Sequence, residues 1–208
     1  LVGAHNTEIE FSNRINRLRS NGYVAKFNLA LSSLPSFKGL DSLRGRMLIA
    51  PTMDSIEFAW DDAKYGDYSQ NPVMDMIVPT LFNPSMAPEG KHILSANIMY
   101  IPYQKEGGWS EEDKNELTEK IIDTISQYSP NIRDNILHSE LLTPLDIEKE
   151  FNLTGGHWHH GELALDQMLM MRPTYEAAQY FTPIDKLYLC SAGCHPGGGI
   201  MGAAGYNA

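Results

Sequence analysis

The stretch Leu187-Tyr188-Leu189-Cys190-Ser191-Ala192-Gly193-Cys194-His195-Pro196-Gly197-Gly198-Gly199-Ile200-Met201-Gly202-Ala203-Ala204-Gly205 decides how this chain is read. Leu187 to Cys190 is apolar enough for a buried strand, a glycine-rich loop follows, and small residues suited to a helix come next. Glycines let a backbone approach a ligand with no Cβ in the way. The helix would offer unpaired N–H groups and the positive end of its dipole to a phosphate or a polarised ring edge. Gly197, Gly199 and Gly202 fit G-x-G-x-x-G. The dinucleotide fingerprint, however, needs a second strand and an acidic residue about 20 positions later, and the chain ends six residues after Gly202. On pattern alone the segment is either a ligand-contacting loop or a glycine-rich surface turn.

Working back from this loop, the order of elements is mixed. Glu8 to Ser20 places Ile9, Phe11, Ile15 and Leu18 among polar residues, as an amphipathic helix does, and Tyr23 to Ser32 alternates like a strand. Leu34 to Gly45 reads as loop and Arg46 to Ala50 as a short strand. Thr52 to Tyr65 reads as a helix with Ile56, Ala59, Trp60 and Ala63 on one face. Pro72 to Phe82 and Lys91 to Tyr103 read as strands separated by Asn83-Pro84 and Pro88-Glu89-Gly90. Ser110 and Asp113 have capping-box spacing ahead of Leu117, Ile121, Ile125 and Tyr128, predicting a helix that stops at Pro130. A strand over Asn135 to Leu142 and a short helix from Thr143-Pro144 complete the pattern. Successive strands with helices inserted between them predict an α+β fold with a mixed, largely antiparallel sheet.

Composition excludes several classes. Acidic residues outnumber basic ones 26 to 16, for a net charge of −10. No basic stripe with interleaved aromatics is present, so no nucleic-acid partner is expected. Hydrophobic residues make up 42%, too many for disorder, yet no run approaches the roughly 20 apolar residues that span a bilayer. Peripheral membrane contact stays open. Cys190 and Cys194 form no disulfide framework, which points to a reducing compartment, the cytoplasm or a mitochondrial matrix. The chain starts at Leu1 without methionine and stops just beyond the glycine loop, so both ends read as cuts.

His157, His159 and His160 lie close together with Glu162 two residues on. They could be imagined around a metal, but no cysteine or further carboxylate stands at ligand spacing, and no metal is expected. His160 and Glu162 are better candidates for hydrogen-bonding to a cofactor or substrate, beside the alternative of a structural role. Cys190, ending an apolar run, reads as a core residue. The Cys190-x3-Cys194 spacing is not that of a thioredoxin-type pair.

The glycine stretch resembles the C-terminal signature of phytoene-desaturase-like FAD oxidoreductases, in which a strand leads into His-Pro-Gly-Gly-Gly. The blocks Leu153-Thr154-Gly155-Gly156-His157-Trp158-His159-His160-Gly161-Glu162-Leu163, Leu165-Asp166-Gln167 and Arg172-Pro173 are similar too. So are Pro51-Thr52-Met53-Asp54, Asp61-Asp62-Ala63-Lys64-Tyr65-Gly66, Ala87-Pro88-Glu89-Gly90-Lys91-His92 and Gly107-Gly108-Trp109. The likeness covers nearly the whole chain and is strongest towards the branch of pyridine-nucleotide-disulphide-oxidoreductase-domain proteins. Ser191 and Cys194 depart from the glycine and threonine expected there.

This resemblance implies a two-domain flavoenzyme. Residues 1–150 would be a portion of the substrate domain, and residues 151–208 the return to the FAD domain, with the N-terminal Rossmann unit missing. Flavin contacts would come from Gly193, His195, Gly197, Gly198, Gly199, Ile200 and Gly202, with His160 and Glu162 near the flavin or substrate. The implied chemistry is hydride transfer from an apolar small-molecule substrate to FAD, as in a dehydrogenase or desaturase. No catalytic residue is assigned, and the isolated chain is expected to be inactive. Two other readings are a non-catalytic lipid- or protein-binding module on the same fold, and a metal-dependent hydrolase built on the histidines.

Overall fold

The computed structural model describes residues 3–208. The chain divides into two compact units: residues 23–150, and the segment ending at Gly22 together with Phe151–Ala208.

In the first unit, β1 (Val24–Leu31) alternates half-buried and buried positions, and Ala25, Phe27, Leu29 and Leu31 are fully enclosed. It pairs antiparallel with β4 (His92–Met99) on one side and β5 (Ile136–Leu142) on the other. Beyond β4 lie β3 (Met74–Ile77) and β2 (Met47–Ile49), giving the order β2-β3-β4-β1-β5 among the described residues. Every pairing is antiparallel, so the α+β expectation holds and its largely antiparallel sheet is wholly so.

The register sets Phe27 opposite Ala96 and Met76 opposite Ala96 on the next strand, so the large apolar side chains share one face. The helix α3 (Glu111–Tyr128) contributes Leu117, Ile121, Ile122 and Ile125 to the same core, at the spacing that keeps one helical stripe turned inward. Each such side chain, fully buried, stabilises the fold by roughly 1.5–3 kcal/mol. The opposite face of the sheet is polar. Lys26 Nζ donates to Asn97 Oδ1 at 3.1 Å, Asn28 Nδ2 to Glu140 Oε2 at 3.0 Å, and Arg46 grips Asp75 through both carboxylate oxygens.

Helix α2 (Met53–Lys64) starts at a reciprocal cap between Thr52 and Ser55. It buries Ala59 and Ala63 and sets Trp60 edge-on to Tyr23 and Tyr100, on the face expected. The cap at Ser110 and Asp113 also forms as expected. Some elements are shorter than their patterns suggest. The Pro72 to Phe82 run yields only the four residues of β3 before a 3-10 turn at Pro79–Leu81, since Pro79 has no N–H to give a ladder. A single helical turn, α4 (Ile132–Asn135), precedes β5 and carries no periodic signal. Then α5 (Pro144–Phe151) opens with its proline in the first turn.

The second unit has little regular structure. α1 (Ile9–Asn16) stops four residues before Ser20, and α6 (Ala203–Asn207) follows the glycine loop. The expected strand Leu187 to Cys190 does not form: only a single bridge joins Phe181 and Tyr188. Leu187 and Tyr188 are exposed, and a strand without a neighbouring ladder leaves its backbone groups to water. Cys190 is exposed and Cys194 buried, the reverse of the core role expected for Cys190. The apolar cluster is small, comprising Tyr180, Cys194 and Ala204 with Leu189 against them.

A polar clamp does much of the holding instead. Gln167, 5% exposed, accepts from the Arg19 backbone N–H at 2.8 Å and returns a bond to the Arg19 carbonyl at 2.9 Å. Gly22 N–H donates to the Gly155 carbonyl at 2.7 Å.

Candidate functional site: a glycine loop backed by a buried arginine

The loop begins with two tight turns. Cys194 N–H donates to the Ser191 carbonyl at 3.0 Å and Gly197 N–H to the Cys194 carbonyl at 2.7 Å. Beyond them the backbone runs through positive φ at Gly197, Gly199 and Gly202, values that favour glycine. An open concavity of about 130 Å³ sits here, lined by Cys190 to Ala192 and by Gly197 to Gly205. Among the described residues, the amides of Gly198, Gly199 and Ile200 donate to no protein acceptor. Ile200 is fully exposed.

The histidine segment packs against this loop. A Cβ on Gly198 would lie 2.6 Å from His159 Nδ1, and one on Gly193 would lie 3.3 Å from His160 Cβ. The absence of side chains at these two positions is therefore what lets the segments meet. Burial pushes His157 below its ordinary range, and the neighbouring His159 adds to this. His159 is lowered by burial first and by Arg172 and His160 after it. Both rings therefore favour the neutral form. No cluster of three or more metal-ligating side chains occurs among the described residues.

The expected site residues come apart here in position. Gly193, Gly197, Gly198, Gly199, Ile200 and Gly202 lie on one continuous loop, and His160 packs on it. His195 has a buried Nδ1 with no hydrogen-bond partner, and its N–H donates to the Arg172 carbonyl at 3.1 Å. Glu162 points elsewhere, its carboxylate held by Arg19 Nε at 3.1 Å. Arg19 also binds Asp166, at 2.7 Å.

Arg172 is the residue that pattern reading passes over as part of an Arg-Pro pair. It is 3% exposed. Its Nε donates to the Ala192 carbonyl at 3.0 Å, and Nη1 to the carbonyls of Glu162 and Gln167 at 3.2 Å. Nη2 donates to Gly161 at 3.3 Å and to His159. One guanidinium thus joins the histidine segment to the glycine loop through five backbone oxygens. A lone cation inside the apolar run Met168-Leu169-Met170-Met171-Arg172-Pro173 is the signal that could have found it.

No family model matches the chain. Pyridine nucleotide-disulfide oxidoreductase domain-containing protein 2 of Rattus norvegicus is 38% identical over 210 residues, covering 95% of this chain and 36% of that protein. The chain therefore spans about a third of the length of this relative. The lycopene-forming phytoene desaturase of Pantoea ananas is 29% identical over 61% of the chain and 25% of that protein. The 4,4'-diapophytoene desaturase of Staphylococcus aureus is 27% identical over 65% of the chain and 27% of that protein.

Proposed function

Because the chain is related over nearly all its length to pyridine nucleotide-disulfide oxidoreductase domain-containing protein 2, and more distantly to phytoene desaturases, we propose that it is the C-terminal part of an FAD-dependent oxidoreductase. The observation that carries this reading is the glycine loop: an open concavity bordered by backbone N–H groups that have no protein partner.

These residues suit a flavin. A ring or a phosphate needs a side-chain-free approach, and unpaired amides favour oxygen and nitrogen acceptors. The orphaned Nδ1 of His195 is a further polar atom in want of a partner, which buried polar groups rarely lack. On this reading Gly198, Gly199 and Ile200 donate to the cofactor and Gly202, where a Cβ would meet nothing within 4 Å, keeps the approach clear, while Gly193 and Gly197 let the backing segments pack close. His160 packs against the loop at Gly193, where a Cβ would lie 3.3 Å from its own, and backs the loop from there. Glu162 acts one step back, balancing Arg19. Bound FAD supplies a hydride acceptor, and a dehydrogenase or desaturase acting on an apolar substrate is the reaction proposed. In place of the expected division at residue 150, residues 23–150 would serve the substrate domain and residues 151–208, in one compact unit with the segment ending at Gly22, the flavin domain, with this chain alone inactive.

The test is an absorption spectrum of the purified full-length protein, before and after denaturation, with the released chromophore identified. FAD in near-stoichiometric amount is expected. Persistent absence of flavin after reconstitution would overturn the reading in favour of a non-catalytic binding module, for which exposed Leu165, Leu169, Met170 and Ile200 offer an apolar surface.

A further inference from the structure

We propose that Arg172 is the positioning residue of the glycine loop and supplies the positive charge that makes the loop take an anionic group, either the phosphates of the dinucleotide or the reduced flavin ring. This rests on the flavin reading above and goes beyond it by naming the residue that sets the loop's electrostatics.

Three observations carry it. First, Arg172 is almost fully buried, and its guanidinium meets carbonyl oxygens only; among the described residues it has no carboxylate partner. Carbonyl dipoles orient and solvate a guanidinium, but they leave its unit charge in place. Second, the charge stands directly behind the loop, because a Cβ on Gly197 would lie 3.9 Å from Arg172 Nε. Third, the acids on either side in sequence are already engaged, Glu176 being paired with Arg14, and Glu162 and Asp166 with Arg19. An uncompensated buried cation is costly through lost hydration unless an anion joins it. Burial holds the neighbouring His157 and His159 towards their neutral forms.

The test uses the full-length protein with its flavin and reads binding and reduction potential. Arg172→Gln is expected to loosen flavin at least tenfold, and Arg172→Lys, which keeps the charge, to recover most of that loss. Equal loosening of oxidised and reduced flavin identifies the phosphates as the anionic group. A tenfold greater loosening of reduced flavin, a potential about 30 mV more negative for the two-electron couple, identifies the ring. A second pair of variants leaves the five carbonyl bonds alone. Cys194 is buried in the turn between Ala192, whose carbonyl accepts from Arg172 Nε at 3.0 Å, and His195, whose backbone N–H donates to the Arg172 carbonyl at 3.1 Å. Cys194→Asp should therefore cancel the Arg172 charge and reproduce the Arg172→Gln effect. Cys194→Asn should behave like wild type. Identical behaviour of Gln and Lys at position 172, or of Asp and Asn at position 194, would overturn the proposal. If neither Arg172 variant folds, the Cys194 pair decides. Absence of flavin from the wild-type protein would overturn the underlying reading instead.

Discussion

At the scale of single residues, the second unit depends on places where a Cβ cannot go. Gly155 has φ +67°, and a Cβ there would overlap the Ser20 carbonyl. Across the same crossing, a Cβ on Gly22 would meet the Gly156 carbonyl at 2.6 Å. Gly155→Ala combines backbone strain with a backbone clash and should cost on the order of 2 kcal/mol or more, read by chemical denaturation. The histidines give a pH dependence of definite sign. His157 and His159 titrate below the ordinary 6.5 when folded, so the unfolded chain binds more protons just below that pH. Their contribution is complete above pH 6.5 and is lost as pH falls from there towards the folded values. NMR titration should find both rings below the free-histidine midpoint. A His157→Asn variant should show a shallower loss of stability over the same window; an unchanged slope would count against the assignment.

At the scale of elements, legibility follows how local the cause is. Both long helices of the first unit have local signals, α2 through one apolar face, above a Thr52–Ser55 cap that only the structure shows, and α3 through the spacing of Ser110 and Asp113. Ser110→Ala should cost about 1 kcal/mol by leaving a first-turn N–H unpaired. Asp113 is held down to about 2 by its side-chain bond to Ser110, then by the Ser110 backbone N–H and Lys105. Removing the Ser110 hydroxyl should therefore raise the Asp113 midpoint, an NMR-observable shift. Leu187 to Cys190 misleads for the opposite reason: a strand is a property of a pair, and the apolar run finds only one bridge, to Phe181. The glycine loop is legible because glycine itself records the need for an open approach. Arg172 is not, since its partners are backbone carbonyls that leave no mark in side-chain pattern. The clamp between Arg19 and Gln167 spans 148 positions, beyond any local periodicity.

At the scale of the whole molecule, the two units rest on different physics. Residues 23–150 surround one apolar core between a sheet face and α3. Phe27→Ala, at a fully buried position in the interior strand β1, should cost about 3–5 kcal/mol. The other unit has a small apolar cluster and relies on hydrogen bonds through Arg172, Gln167 and Arg19. Amides there should exchange faster than those of β1 and β4, because few buried apolar contacts oppose local opening. No helix among the described residues is long and apolar enough to cross a membrane.

Hydrogen exchange also reaches the central claim, that the glycine loop is where flavin is held. It would be followed across residues 197–202 of the full-length protein, with flavin bound and after its removal. Bound flavin should slow exchange at Gly198, Gly199 and Ile200 by an order of magnitude or more, roughly what a new hydrogen bond near 1.4 kcal/mol gives. Unchanged exchange at these amides in a protein that holds its flavin would place the cofactor elsewhere.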